Sequence, residues 1–333
     1  MTILVVGGAG YIGSHTARLL RRNGFDVLIY DNLSTGQLKL VKGFEVVQGE
    51  IADTGRLARA VYRADAVLHF AASAYVGESV TDPRKYFRNN VESGLALLNT
   101  CLSCGIKKLV FSSSCAVYGT PAEQPIHEST PRQPVNPYGV SKLFFEHALE
   151  SYDHAYGLRY ATLRYFNAAG ADEAGQTGEL HSPESHLIPL AISTALGQGD
   201  SLPVYGSDYP TPDGTCIRDY VHVSDLAEAH VLALRYLLAD GESVALNLGT
   251  GQGRSVQEVV RTVESVTESE VPVRWEPRRP GDPAALVANP TLAEQVLGWK
   301  AQRSLEDMVA SACKWAESQQ AQRPVLKRSD LAA

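Results

Sequence analysis

The chain has 333 residues, 44% of them hydrophobic and 20% charged, with a formal net charge of −7. At roughly 150 residues per domain that is length for about two lobes with a full core, and 28 Gly and 17 Pro are too ordinary for a fibrous or disordered chain. The acidic balance argues against nucleic acid or an anionic membrane as partner, because both need a basic face; a small phosphorylated substrate needs only one or two local arginines.

In chain order, residues 3–6 read as a buried strand, which leaves no room for a signal peptide. Further short apolar or β-branched runs follow at 27–30, 45–48, 66–70, 109–112 and 161–165, with helical periodicity between them at 14–23 and 91–104. Unbroken apolar strands alternating with helices mark a parallel sheet covered on both faces. The spacing therefore predicts a Rossmann-like, doubly wound α/β fold over residues 1–170. From about 172 to 219 the composition shifts to Gly, Pro, Ser and His with weak periodicity, the start of a smaller C-terminal α/β substrate lobe over 171–320. A run at 244–248 is either a strand returning to the main sheet near 244–249 or the lobe's own. A helix around 304–319 closes the lobe, and 321–333 read as a polar tail.

No run approaches the ~18 apolar residues of a membrane span. The five cysteines are odd in number and scattered, and the CxxC of Cys101 and Cys104 has neither a second pair nor a His at zinc-finger spacing. The expectation is a reduced, cytoplasmic protein with no metal centre.

Gly7, Gly8, Gly10 and Gly13 lie between the first strand and the first helix, in GxxGxxG spacing. Glycines there permit a tight turn and bring the backbone close to a pyrophosphate, which then rests on the helix N-terminus. Asp31 ends the second strand, where a carboxylate accepts from an adenosine ribose and repels the extra phosphate of NADP. Residues 32–36, Asn-Leu-Ser-Thr-Gly, contain no basic side chain to hold that phosphate. The cofactor implied is NAD, unless Asp31 is only a turn acid.

Tyr138 and Lys142 are four apart, so on a helix they share one face. A free phenol has a pKa near 10 and is a poor base at neutrality, but a neighbouring ammonium and an oxidised nicotinamide both favour the phenolate. YxxxK alone is a common helix pair. It gains force from the serines at 112–114, at the end of another strand, because active sites in such sheets lie beyond the carboxyl ends. Ser114 is taken as the hydroxyl that shares the substrate's proton with Tyr138, and Ser112 and Ser113 as strand-end caps.

These residues resemble the extended short-chain dehydrogenase/reductases and, more narrowly, their UDP-glucose 4-epimerase branch. GGAGYIGSH at 7–15, DNL at 31–33, HFAA at 69–72, VGES at 76–79, FSSS at 111–114 with VYG at 117–119, LRYFN at 163–167, DYPTP at 208–212, RDY at 218–220 and RRPGD at 278–282 all fit its pattern, over residues 1 to about 316. The resemblance implies that Tyr138 is the general base and acid, that Lys142 binds the nicotinamide ribose and that Ser114 assists. It implies an NAD site lined by Gly7, Gly10, Tyr11, Ile12, Gly13, Asp31, Asn32, Leu33, Ser34, Thr35, Gly36, Glu50, Ile51, Phe70, Ala71, Ala72, Asn89, Tyr165 and Phe166. The UDP-sugar would meet Asn167, His186, Leu187, Pro203, Val204, Tyr205, Arg218, Arg279, Asp282 and Leu286.

Three positions depart from the pattern. Glu50 replaces a frequent Asp, which should preserve an adenine contact. Ala74 replaces a Lys that some members place near the phosphates, so NAD would be held less tightly. Leu286, where the family gates the sugar's C2 substituent, is intermediate between bulky and small residues, leaving N-acetylated sugars open. The implied reaction is reversible interconversion of UDP-glucose and UDP-galactose: Tyr138 takes the C4 proton, NAD accepts the hydride, the 4-keto sugar turns over, and NAD stays bound throughout. The alternatives are a 4-epimerase of UDP-GlcNAc/UDP-GalNAc or UDP-xylose/UDP-arabinose, and a non-catalytic NAD-binding regulator, which would typically lack the Tyr or Lys. Cys115 and Ala116 stand where 4,6-dehydratases carry an Asp-Glu pair. Relatives pair helices like those around 91–104 and 142–156 into a homodimer; from the sequence alone those faces could equally cover the sheet.

Overall fold

The computed structural model describes residues 1–279 and 281–321, so the expected polar tail lies, after Ala321, outside the described residues. Seven strands form the main sheet: β1 (Thr2–Val6), β2 (Asp26–Asp31), β3 (Glu45–Gln48), β4 (Ala66–His69), β5 (Lys108–Ser114), β6 (Arg159–Tyr165) and a late arrival, Val244–Leu248. With β7 (Asn167–Ala169), β8 (Leu202–Tyr205) and β9 (Ile217–His222) lying between in sequence, that late strand is β10. The order is β10-β6-β5-β4-β1-β2-β3, and every pair is parallel. Successive connections run outward in opposite directions from the β1/β4 pair, which opens a crevice beyond the carboxyl ends of those strands.

Period-2 alternation sends the side chains of each strand to opposite faces. Ile3, Val5, Leu68, Val110, Leu163 and Leu246 pack under α1 (Tyr11–Arg22) and a helix at Val223–Leu238. Leu4, Val6, Leu28, Val67 and Leu109 pack under α2 (Thr54–Val61) and helices at Ser93–Ser103 and Pro137–Tyr156. Between these lie α3 (Val76–Thr81), α4 (Pro83–Tyr86) and a π-helical turn, Phe87–Glu92, which makes the last two α5 and α6.

A separate core gathers α7 (Leu187–Ala195), β8, α9 (Val256–Thr267) and α11 (Leu305–Ala321). The Val223–Leu238 helix is α8, and a short α10 (Thr291–Leu297) precedes α11. Beside this core, β9 pairs with β7, with β11 (Gly253–Ser255) and with β13 (Ala285–Leu286), while β12 (Val273–Glu276) pairs with β8.

The predicted strands are all present, and β5 runs two residues further, to Ser114. The helix expected over 91–104 begins as the π-helical turn. The weakly periodic stretch from 172 contains α7, β8 and β9. The largest element that periodicity did not reveal is α8: ten of its sixteen residues are buried, so no polar stripe outlines it. It lies against α1 and returns the chain to the main sheet before β10.

Candidate active site

The site is built on the carboxyl edge of the main sheet, where β1, β2, β4, β5 and β6 end at Val6, Asp31, His69, Ser114 and Tyr165. Gly7 turns the chain out of β1 at a φ of 79°, and a Cβ there would collide with the backbone of Ala71 and Phe70. That close approach leaves a shallow cradle in front of α1. The helix starts at Gly10 with no side-chain cap and no acid in its first turn, so its N–H groups are free for an anion. Asp31 is buried, and its carboxylate accepts from the backbone nitrogens of Ala9 (2.9 Å) and Leu33 (2.8 Å). Burial raises its pKa and those two bonds lower it. Each oxygen keeps a lone pair for a ribose hydroxyl.

Asn32 donates to Glu50 at 3.1 Å and Tyr30 donates to the Glu50 carbonyl, tying the ends of β2 and β3 together. Ser34 and Thr35 are exposed and Gly36 is half-buried, while Ile12 and Ile51 rest on the two faces of the main core. Phe70, Ala71 and Ala72 follow β4; Asn89, in the π-helical turn, donates to Ser73 at 3.3 Å. The uncapped helix, the glycine cradle and the carboxylate at the β2 end fit a dinucleotide.

Helix α6 supplies the chemistry. Asn136 caps it, accepting from the Gly139 nitrogen at 2.9 Å, and Pro137 occupies its first position. Tyr138 and Lys142 then fall one turn apart. Gly139 lets the helix press against the turn that follows β5, since a Cβ there would stand 2.5 Å from the Ala116 carbonyl oxygen. This contact sets Tyr138 beside Ser114. Burial pushes the Tyr138 phenol well above its usual range, and Ser114 pulls the other way. Lys142 is 3% exposed; its Nζ donates to the Ser112 carbonyl at 2.7 Å and lies 5.9 Å from the Tyr138 ring centre. Burial pushes the Lys142 ammonium down to about 7, opposed by Glu146 one turn along.

Ser112 and Ser113, expected as strand-end caps, make other bonds, and Ser114 caps in their place while keeping its position beside Tyr138. Ser114 is the strand-end cap, accepting from the Ala116 nitrogen at 3.2 Å. Ser112 instead bonds the Tyr165 hydroxyl at 2.5 Å, and Ser113 donates to Glu146 at 2.6 Å. Capping and facing Tyr138 are compatible in one hydroxyl, because the cap uses only a lone pair.

Of the residues expected to meet UDP, Asn167, Pro203, Val204, Tyr205, Arg218 and Leu286 lie on the smaller sheets, His186 and Leu187 at the start of α7, and Arg279 and Asp282 between β12 and β13. Pairing brings Asn167 opposite Tyr220 and Leu286 opposite Arg218. Leu286 packs against the cluster of Cys115, Val117 and Phe166, next to Ser114. Arg218 donates to the Ile217 and Pro283 carbonyls and faces Asp282 at 3.6 Å. Arg279 is exposed and stacks on Tyr205, 3.8 Å from the ring centre. Pro203 shares the half-buried face of β8 with Tyr205, whereas the Val204 side chain points into the lobe's core and can offer a ligand only its backbone. Leu187 opens α7. His186 is engaged with Glu179 and Glu184 rather than with the UDP residues.

Sequence reasoning missed the supports beneath this site. Buried Glu146 accepts from Arg164 through Nε (3.0 Å) and Nη2 (2.7 Å), from Arg132 (3.1 Å) and from Ser113. Arg164 continues to the Tyr118 hydroxyl, and Tyr118 to Asn247. Asn90 clamps the loop after β4 by accepting from the Ser73 nitrogen and donating to Ser141 on α6. LRYFN at 163–167 contains Arg164, so a buried charge in a strand was the available signal.

The sequence pattern of the NAD dependent epimerase/dehydratase family matches residues 3–249. The chain is 51% identical, over 315 residues, to a UDP-glucose 4-epimerase of Rhizobium meliloti (strain 1021); the match covers 94% of this chain and 96% of that one. Its structure is similar to that of UDP-glucose 4-epimerase from Brucella ovis in complex with NAD, with a TM-score of 0.92, 52% identity and coverage of 94% and 97% of the two chains. The enzyme from Bifidobacterium longum in complex with NAD+ and UDP gives a TM-score of 0.92 at 41% identity, covering 96% and 99%.

Proposed function

The chain belongs to the NAD dependent epimerase/dehydratase family, and on that premise we propose how its residues interconvert UDP-glucose and UDP-galactose at C4 with NAD as cofactor. Bound in its oxidised form, NAD supplies reversible hydride acceptance at C4 and a positive charge that favours the Tyr138 phenolate. The Gly7 turn and the N-terminus of α1 hold its pyrophosphate, and Asp31 holds the adenosine ribose. Tyr138 takes the C4 hydroxyl proton and returns it after the sugar has presented its other face. Ser114 shares that proton, and Lys142 orients the nicotinamide ribose and lends positive charge to Tyr138. Arg218 and Arg279 hold the diphosphate, with Asn167, Tyr205 and Asp282 around the nucleotide. Strong polar anchors for UDP and an apolar wall of Leu286 and Phe166 at the sugar leave the sugar free to rotate.

The observation that carries this assignment is the seating of Gly139 against Ala116, with Tyr138 of α6 beside Ser114 and Lys142 on the Ser112 carbonyl of β5. Replacing Tyr138 by Phe tests it. Turnover should fall about 100- to 10,000-fold while UDP binding measured by calorimetry stays as before; retained turnover removes Tyr138 as the base.

We further propose a division into a nucleotide-binding domain over 1–170 and a UDP-sugar lobe over 171–320, with α8 and β10 returned to the first. We also propose a homodimer through the helices around 91–104 and 142–156, and a cytoplasmic location. Exposed Phe87, Val140 and Phe144 on the π-helical turn and α6 support the dimer. Five unpaired cysteines support a reducing compartment. Among the described residues no helix is long and apolar enough to cross a membrane.

A further inference from the structure

The loop leading into α7 reads Glu179-Leu180-His181-Ser182-Pro183-Glu184-Ser185-His186, an alternation of carboxylate and imidazole at positions i, i+2, i+5 and i+7. The fold turns this spacing into one cluster. The Nδ1 atoms of His181 and His186 each lie 2.8 Å from Oε1 of Glu179. Nδ1 of His186 is also 2.8 Å from Oε1 of Glu184, and Nδ1 of His181 is 3.9 Å from Oε2 of Glu184. One donor atom from each of the four residues lies within 4.8 Å of all the others.

We propose that Glu179, His181, Glu184 and His186 form a binding site for a divalent transition metal of the zinc class, which pins this loop beside the cofactor cleft. Two imidazole nitrogens and two carboxylate oxygens are a donor set that zinc accepts in four-coordinate form. Bonds of about 2.0–2.2 Å in a tetrahedron put neighbouring donors roughly 3.3–3.6 Å apart. The separations here straddle that range, so small rotations of the four side chains suffice. Calcium and magnesium prefer all-oxygen shells, which two imidazoles do not provide. Charge points the same way: when both imidazoles ligate as neutral rings, the two carboxylates carry −2, which one dication cancels.

The surroundings hold the donors in place from several elements. Trp315 of α11 donates to the Glu179 carbonyl at 2.9 Å, Gln37 donates to the Leu180 carbonyl at 3.3 Å, and Tyr75 donates to the Pro183 carbonyl at 3.1 Å. Tyr11, in the first turn of α1, has its ring 6.4 Å from that of His181. A metal here would fix the one segment, ahead of α7, that Gln37 of the loop after β2 and Tyr75 of the loop after β4 already bond. The expectation of no metal centre rests on cysteine spacings, whereas this donor set contains no cysteine.

The test uses the NAD-containing protein without a polyhistidine tag, dialysed against a chelator and titrated with Co²⁺ alone, then with Zn²⁺ in competition. The expected result is one equivalent of cobalt with the intense visible absorption of four-coordinate geometry, displaced by one equivalent of zinc. His181→Ala and Glu184→Gln, each confirmed to retain bound NAD and native circular dichroism, should weaken cobalt binding by more than the ~10–100-fold that loss of an outer hydrogen-bond partner costs. No stoichiometric binding, or binding that both variants keep at full strength, overturns the proposal and leaves the four residues as an ion-pair cluster.

Discussion

Lys142→Met separates the structural cost of the candidate site from its chemical use. Lys142 is buried against the Ser112 carbonyl and the Phe111 and Tyr138 rings, and its pKa falls from the usual 10.5 to about 7. The unfolded chain therefore binds a proton that the folded chain gives up between about pH 7 and 10.5, so this lysine makes stability rise with pH across that window and penalises the fold below it. At 1.36 kcal/mol per pH unit, the penalty is on the order of 5 kcal/mol at pH 6, about 3 at pH 8 and under about 1 at pH 10. Methionine fills a similar volume and has no such titration. Urea unfolding of the two NAD-free proteins at these three pH values reads the difference directly. The variant should be relatively most stable at pH 6, with its advantage shrinking by about 4 kcal/mol by pH 10, and it should have lost turnover throughout. Packing and hydrogen-bond differences shift all three values together. A stability difference that does not change with pH would refute the reasoning and place an ordinary, solvated ammonium at this position.

Other perturbations probe the remaining parts. Gly7→Ala forces a Cβ into the Ala71 backbone at a φ of 79°; a strain of about 1–3 kcal/mol should weaken NAD retention roughly five- to 150-fold, read as the cofactor content of purified protein, and undiminished NAD would dismiss the cradle. Glu146→Gln leaves the buried Arg164 guanidinium without its counter-charge and should cost about 3–5 kcal/mol in thermal or urea unfolding; a loss below about 1 kcal/mol would mean that the network is solvated. By removing the carboxylate that holds Lys142's pKa up, the same variant should also move the alkaline limb of the pH–rate profile toward lower pH, and an unmoved limb would disconnect Glu146 from Lys142.

The parts of the molecule that were legible in the sequence are those with one local cause. Strands buried on both faces need unbroken apolar runs, so β1 to β6 and β10 could be located within a few residues. The Gly7 turn and the YxxxK pair are likewise local, because a helix repeat and a backbone turn fix their geometry. The illegible parts depend on partners distant in sequence. Helix α8 is buried nearly all round and shows no polar stripe. The support of Ser113 by Glu146 and of Glu146 by Arg164 joins positions from two strands and a helix. That Ser114 caps the strand end, while Ser112 bonds Tyr165 and Ser113 bonds Glu146, follows from the neighbours each one meets, which three identical residues in a row do not reveal. Strand alternation turns the Val204 side chain into the core while Pro203 and Tyr205 share the other face of β8, a distinction that a run of three adjacent candidates does not show.

The most direct test of the central claim is to give purified protein, with no NAD added, UDP-galactose and to separate the products by chromatography. The account predicts UDP-glucose, approached equally from the UDP-glucose side, because the cofactor stays on the protein and Tyr138 returns the proton it takes. Absence of UDP-glucose, even with NAD supplied, would contradict it.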